Sequence, residues 1–405
     1  MTNTPPLFAG LKVIDCATFI AAPTAATVLA DYGADVIKVE PPGEGDPWRN
    51  VYTRPEVPQS PHNYPYLANN RNKRGIAIDL KTPSGQVAMA RLVGQADVFI
   101  TNLPLPVRAR LGLRYEDFAT RFPRLIYGSF TAYGETGDEA AKTGFDLTAY
   151  WARSGLMDQV RPDHTQPPAQ SVAGLGDHPS GMALYGGIAT ALYRRERTGL
   201  GGEVRTSLLG SGMWANAVFI QASLCGATIP PRPPREEARR AAGNAYRTGD
   251  DRWFILALSN EMRQWPALAA AIGRPELVSD PRFIDSDDRV ANARALIEIL
   301  DDAFAQRTLA EWRRRLDDAG LTFGIVATTE ETARDHQATE TGILRPIEGT
   351  DLMTVDSPFT LTGSDKAPIT AAPGLGAHSG AILRDFGFSE AEIVALRADG
   401  VVTGG

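Results

Sequence analysis

The 405-residue chain holds two cysteines, Cys16 and Cys225, five histidines and six lysines against 35 arginines. Two cysteines cannot build a disulfide framework, so a reducing compartment is expected. His62, His164, His178, His336 and His378 lie far apart without metal-ligand spacing, and neither cysteine has a partner that marks a thiol nucleophile; no metal site is expected. The G-x-x-x-x-G-K-[ST] phosphate loop is missing, as are H-E-x-x-H and the G-x-S-x-G nucleophile elbow. The turn after the first strand pattern, Ala17 to Pro23, has no glycine, so a dinucleotide fingerprint is excluded there. A net charge of −7 argues against binding nucleic acid or an anionic membrane non-specifically. The start, Met1 to Pro6, carries neither a basic nor an apolar run, and a cytoplasmic location is expected. The longest apolar stretch, Met213 to Ile229, is interrupted by Asn216, Gln221 and Ser223, and reads as a core helix rather than a membrane span.

What is present is an alternation of short β-branched runs and helical patterns. Leu11–Asp15, Asp35–Val39, Ile76–Leu80, Asp97–Ile100 and Leu125–Phe130 read as strands; Thr24–Tyr32 and Pro83–Val93 read as helices between them. Such spacing predicts βαβ units and a mostly parallel sheet covered on both faces. Two apolar helices are expected at Ser180–Arg197 and Leu208–Cys225, the first so rich in Gly and Ala that it should pack closely on other backbone. The proline patch at 230–234 reads as a linker. A hairpin at 246–256, helices at 286–305 and 309–319, a strand at 323–327 and a helix at 389–397 follow. The expected organisation is a large α/β domain begun by residues 1–225, a linker at 226–244, a small α+β domain at 245–325, and a return to the large domain at 326–405.

With the common nucleophile and nucleotide motifs gone, carboxylates remain. Asp146, in Gly144-Phe145-Asp146, and Asp177, in Gly176-Asp177-His178, each precede a helical pattern. On residue type alone each reads first as an N-cap. An aspartate is also ionised at neutral pH, so it can attack an activated acyl carbon without a general base.

Several stretches, in order along the chain, are similar to the family III CoA-transferases, the group that includes formyl-CoA transferase and carnitine CoA-transferase. They are Leu11–Asp15, Leu29–Gly43, Asn72–Gly85, Asp97–Asn102, Arg197–Gly199 with Val204–Leu208, and Leu375–His378. The resemblance implies an α/β fold, a Rossmann-like large domain plus a smaller α+β domain, in an interlocked homodimer. It implies coenzyme A transfer from an acyl-CoA donor to a free carboxylic acid, with acyl-CoA as substrate and no tightly bound cofactor. Asp146 falls on the family's nucleophile, which forms an aspartyl anhydride and then an aspartyl-CoA thioester. Phe19, Ile20, Arg71, Asn72, Lys73, Arg74, Asn102, Leu103, Arg110 and Leu111 fall where CoA is contacted; Ile20 and Pro41 depart from formyl-CoA transferase, which is polar and basic there. That enzyme's glycine run is also missing near Gly243–Tyr246, which points away from oxalate and formate toward larger acids. Trp48, Trp151, Met157, Asp177 and His178 are candidates to line the acyl pocket. The competing activity on this fold, α-methylacyl-CoA racemisation, uses a histidine where this chain has Phe145, which cannot accept a proton. A non-catalytic acyl-CoA-binding scaffold is the third reading.

Overall fold

The computed structural model describes residues 6–405. The chain divides into two compact units. One takes the chain through Met157, then Gln170–Ala227 and His336–Gly405; the other is Asp158–Ala169 with Thr228–Asp335.

The first unit is built on a seven-stranded sheet: β1 (Lys12–Asp15), β2 (Asp35–Glu40), β3 (Arg74–Ile78), β4 (Val98–Thr101), β5 (Ile126–Thr131), β6 (Gly202–Ser207) and β7 (Val402–Thr403). The spatial order is β7-β3-β2-β1-β4-β5-β6, all parallel except the edge strand β7. The expected α/β class with a mostly parallel sheet is therefore observed. Short runs such as Val36-Ile37 and Val98-Phe99-Ile100 are buried on both sides, as parallel strands covered by helices must be. From β1 the chain turns one way to β2 and β3, then the other way to β4 and β5. That reversal leaves a crevice at the carboxyl ends of β1 and β4, where open α/β sheets bind ligands.

The Ala21–Asp31 helix starts directly after β1, and all eleven of its residues are buried. Its small side chains let a second helix, Asp177–Thr198, approach closely. A Cβ at Gly181 would stand 2.5 Å from the Ala21 carbonyl oxygen, so the glycine-rich sequence is explained by backbone contact.

Behind the crevice lies a buried ionic frame. Lys38 Nζ pairs with Asp46 at 2.9 Å, both side chains fully buried, and donates to the Ala17 carbonyl. Asp46 Oδ1 accepts the N–H groups of Phe19, at 3.1 Å, and Trp48, at 2.9 Å. Lys73 Nζ pairs with Asp15 at 2.8 Å. One carboxylate thus fixes both the loop after β1 and the start of the next turn.

The sequence pattern runs together elements that the fold divides, as at 286–305, where Ser286–Ala291 and Ala293–Phe304 are separate helices. The apolar stretch expected to be one core helix is two, Leu208–Ala215 and Ala217–Leu224, separated at Asn216. Trp214, Val218 and Leu224 are 82%, 79% and 76% exposed. Apolarity all round a segment predicts that it is covered, not by what, and among the described residues nothing covers this face. Among the described residues no helix is long and apolar enough to cross a membrane.

The second unit joins an antiparallel sheet (Ala245–Arg247, Trp253–Leu256, Phe323–Ile325) to helices including Ala293–Phe304 and Leu309–Asp318. Tyr246, Phe254, Phe304 and Trp312 pack ring against ring in it, tilted or edge-on.

Asp46→Ala should leave Lys38 with only the more distant Asp15, 4.0 Å away. Loss of one partner from a buried pair costs about 3 kcal/mol, so denaturant unfolding should show a destabilisation of that order, and a stability unchanged from wild type would mean that the frame does not depend on this pair.

Candidate active site

A cavity of about 520 Å³ opens at the switch point. Three loops form its floor: Thr18-Phe19-Ile20 after β1, Asn102-Leu103 after β4, and Thr131-Ala132 at the end of β5. Asn102 locks the first two together, accepting from Thr18 N at 2.8 Å and donating to Thr18 O at 2.7 Å. Phe19 sits at φ 63°, a left-handed backbone rare for an aromatic residue and held only because its surroundings over-determine it. Its ring meets Phe145 edge-on at 5.8 Å and lies 6.3 Å from Trp48, giving the cavity an aromatic wall.

Asp146 opens a π-helical turn, Asp146–Ala152, a rare geometry that recurs at functional sites. Phe145 anchors the entry: its N–H donates to Thr148 Oγ1 at 3.0 Å. The Asp146 carboxylate lines the cavity while remaining only 9% exposed. Its Oδ1 accepts Leu147 N at 2.7 Å and its Oδ2 accepts Gly174 N at 2.9 Å. Gly174 has φ +85°, and a Cβ there would meet the His178 ring at 3.0 Å. The 174–178 loop is held by His178 itself. Its Nδ1 lies 3.0 Å from Gly174 O and its Nε2 3.1 Å from Asn69 Nδ2. A carbonyl only accepts, so Nδ1 carries the proton and Nε2 accepts from the Asn69 amide. Burial lowers the His178 pKa, keeping the ring neutral. His178 therefore braces the loop that donates to Asp146 and does not line the cavity.

Asp177 does line it. Burial, and then the charge of Asp146, push its pKa up to about 7. The physical reason is that two carboxylates sharing a mostly apolar pocket cannot both ionise cheaply. Cys16 is no rival nucleophile: burial, then Asp15, push its thiol up to about 12.

Of the residues singled out from sequence, Phe19, Ile20, Trp48, Asn102, Leu103, Asp146 and Asp177 come together around the cavity. Trp151 packs on the core beneath it, and Met157 lies outside its lining. Arg71 pairs with Asp31 at 2.7 Å, Lys73 with Asp15, and Arg74 with Asp35 and Asp385, both at 2.6 Å. Asn72 bonds Asp31 and Thr370. Arg110 is exposed and Leu111 belongs to the sheet's other core face; neither lines the cavity. Sequence reading missed Arg54 and Lys142, the exposed cations on the lining. Lys142, four residues before Asp146, was within reach of a local reading; Arg54 carried no such signal.

The profile of CoA-transferase family III matches residues 8–379. The chain is 32% identical to the (R)-2-hydroxy-4-methylpentanoate CoA-transferase of Clostridioides difficile, over 98% of this chain and 99% of that one. It is also 32% identical to the cinnamoyl-CoA:phenyllactate CoA-transferase of Clostridium sporogenes, over 98% of both chains. Among solved structures, a CAIB/BAIF family protein from Brucella suis superposes with a TM-score of 0.85 at 30% identity, over 95% of this chain and all of that one. These matches run through both units and across every cavity-lining loop, and the chain belongs to CoA-transferase family III, an enzyme that moves coenzyme A between thioesters and free acids.

Proposed function

We propose that Asp146 relays coenzyme A covalently. The observation that carries the reading is an ionisable carboxylate, fixed by two backbone N–H groups, at the wall of an otherwise largely apolar cavity. Asp146 attacks the donor thioester carbon, giving an aspartyl–acyl anhydride and CoA thiolate. The thiolate attacks the aspartyl carbonyl, releasing the donor acid and leaving an aspartyl-CoA thioester. The acceptor carboxylate attacks that thioester, expelling thiolate again, and the thiolate takes the acceptor acyl group and frees Asp146. Each step conserves the activation of the one before, so no nucleotide is consumed. Ala21, at the positive end of its helix, also lines the cavity, favouring the oxyanions that form at each attack.

The pantetheine arm is proposed to pass between Phe19-Ile20 and Asn102-Leu103. Arg71, Lys73 and Arg74 are committed to internal carboxylates, so the exposed Arg54, and Lys142 when it exchanges its surface partner Glu139, are the cations placed to take phosphate. The Phe19, Trp48 and Phe145 rings favour acids with an apolar body, as the names of the two relatives suggest for them. Phe145 lines the cavity where a racemase on this fold has its base, and a ring without a proton acceptor disfavours that activity. A homodimer is proposed because Trp214, Val218 and Leu224 make an exposed apolar face larger than isolated surface residues explain.

Asp146→Ala and Asp146→Asn should each lower transfer at least a thousandfold. The assay pairs acetyl-, succinyl- and cinnamoyl-CoA with oxalate, glutarate, phenyllactate and 2-hydroxy-4-methylpentanoate, read by mass spectrometry. With acyl-CoA and hydroxylamine the wild type should yield a hydroxamate on the Asp146 peptide; turnover retained in either variant would refute the assignment. Trp214→Glu should convert a dimer to monomer in sedimentation velocity, whereas a monomeric wild type would remove the dimer.

A further inference from the structure

Two of the loops that floor the cavity leave neighbouring strands. The β4–β5 ladder runs as far as the Thr101–Ser129 pair; beyond it come Asn102-Leu103 on one side and Thr131-Ala132 on the other, all four lining the cavity. Each loop serves a different part of the site. Asn102 ties the first to Thr18, beside the slot proposed for the pantetheine arm. Against the second lies the segment that carries Asp146: a Cβ at Gly144 would stand 3.0 Å from Ala132 Cβ and 2.9 Å from the Tyr133 ring. One side chain of the helix after β4 (Leu105–Leu111), Arg108, joins the two. It is 2% exposed, and all three of its nitrogens are engaged. Nε donates to Leu103 O at 2.6 Å, and Nη2 to Phe130 O at 2.8 Å. Nη1 donates to Ser129 Oγ at 2.5 Å and to Glu135 Oε1 at 3.2 Å. Ser129 donates to the same Glu135 oxygen, and Arg205 holds the other at 2.9 Å. Among the described side chains no other is seen to bond both strand exits.

We infer that Arg108 is a positioning residue: its guanidinium clamps both loops and so sets the distance between a thioester carried past Leu103 and the Asp146 carboxylate. This rests on the relay proposed above. The geometry asks for arginine in particular. A planar fork presents donors on two edges at fixed angles, so Leu103 O and Phe130 O are held at once; an ammonium on a flexible stem satisfies one end or the other. Glu135 balances the buried charge, and with Ser129 it closes the 131–135 turn back onto β5, where Gly134 N donates to Thr131 Oγ1 at 3.0 Å. Neither Arg108 nor Glu135 lines the cavity, so any effect on the reaction passes through the loops. The loops themselves keep other anchors: Asn102 holds the first to Thr18, and in the second Ala132 O accepts Leu209 N at 2.9 Å. What goes with Arg108 is the placement of one against the other. A displacement of about 1 Å between reacting groups costs roughly a hundredfold in rate, while an arm bound along a slot that still forms loses little affinity.

The test follows acylation alone, without acceptor acid. Hydroxamate formation on Asp146 is timed against acyl-CoA concentration, with hydroxylamine in excess and rates corrected for the folded fraction. Arg108→Leu should lower the maximal rate roughly a hundredfold and move the half-saturating acyl-CoA concentration less than about threefold. Arg108→Lys keeps the charge but loses the fork, and should lower the maximal rate by about tenfold or more. Glu135→Gln keeps the acceptor oxygen but loses the charge, and should lower it less than about threefold. A merely structural ion pair reverses that order, lysine restoring the rate and glutamine not. Should Arg108→Leu fail to fold, these two variants decide. A smaller loss in Arg108→Lys, an equal loss in Glu135→Gln, or a half-saturating concentration that rises in step with the lost rate overturns this inference and leaves the relay standing. No hydroxamate in wild type removes the relay and this inference with it.

Discussion

Two carboxyl groups, Asp146 and Asp177, share one mostly apolar cavity, where ionising both at once is costly. Asp146 accepts from two backbone N–H groups; among the described residues none is seen to donate to the Asp177 carboxyl, whose pKa is raised by burial and then by its neighbour. The difference comes from the 174–178 loop, whose Gly174 N–H points at Asp146 because His178 grips the Gly174 carbonyl and Asn69 grips His178.

That asymmetry needs a rigid surround. The reversal of strand order at β1 and β4 opens the crevice, and the Asn102–Thr18 pair and the Asp46 carboxylate fix the loop on its floor. The strained Phe19 backbone is tolerated because these bonds leave it no alternative. Buried cations are spent on this frame: Lys38, Arg71 and Lys73 pair with Asp46, Asp31 and Asp15 and hold the chain together.

Much of this was legible in the residues. The β-branched runs located five strands to within two residues, and the Gly/Ala content of 180–197 announced a close helix pair. Gly144-Phe145-Asp146 marked the central carboxylate. What stayed hidden depends on distant partners. The commitment of Arg71, Lys73 and Arg74 to Asp31, Asp15 and Asp35 is set by pairing up to 58 residues away along the chain, which no local pattern encodes. Nor does apolarity reveal whether a helix is covered by its own chain, as 213–229 shows. The edge strand β7 is two residues long and carries too little pattern to be read.

The central claim, that acyl activation passes through the Asp146 carboxylate, is tested most directly by isotope transfer. An acceptor acid whose carboxylate carries heavy oxygen, used for a single turnover, should leave one heavy oxygen in Asp146, because the anhydride oxygen stays with the aspartate when thiolate takes the acyl group. Peptide mass spectrometry reads the shift. A labelled Asp146 peptide is the predicted result; an unlabelled one after product has formed would contradict the account.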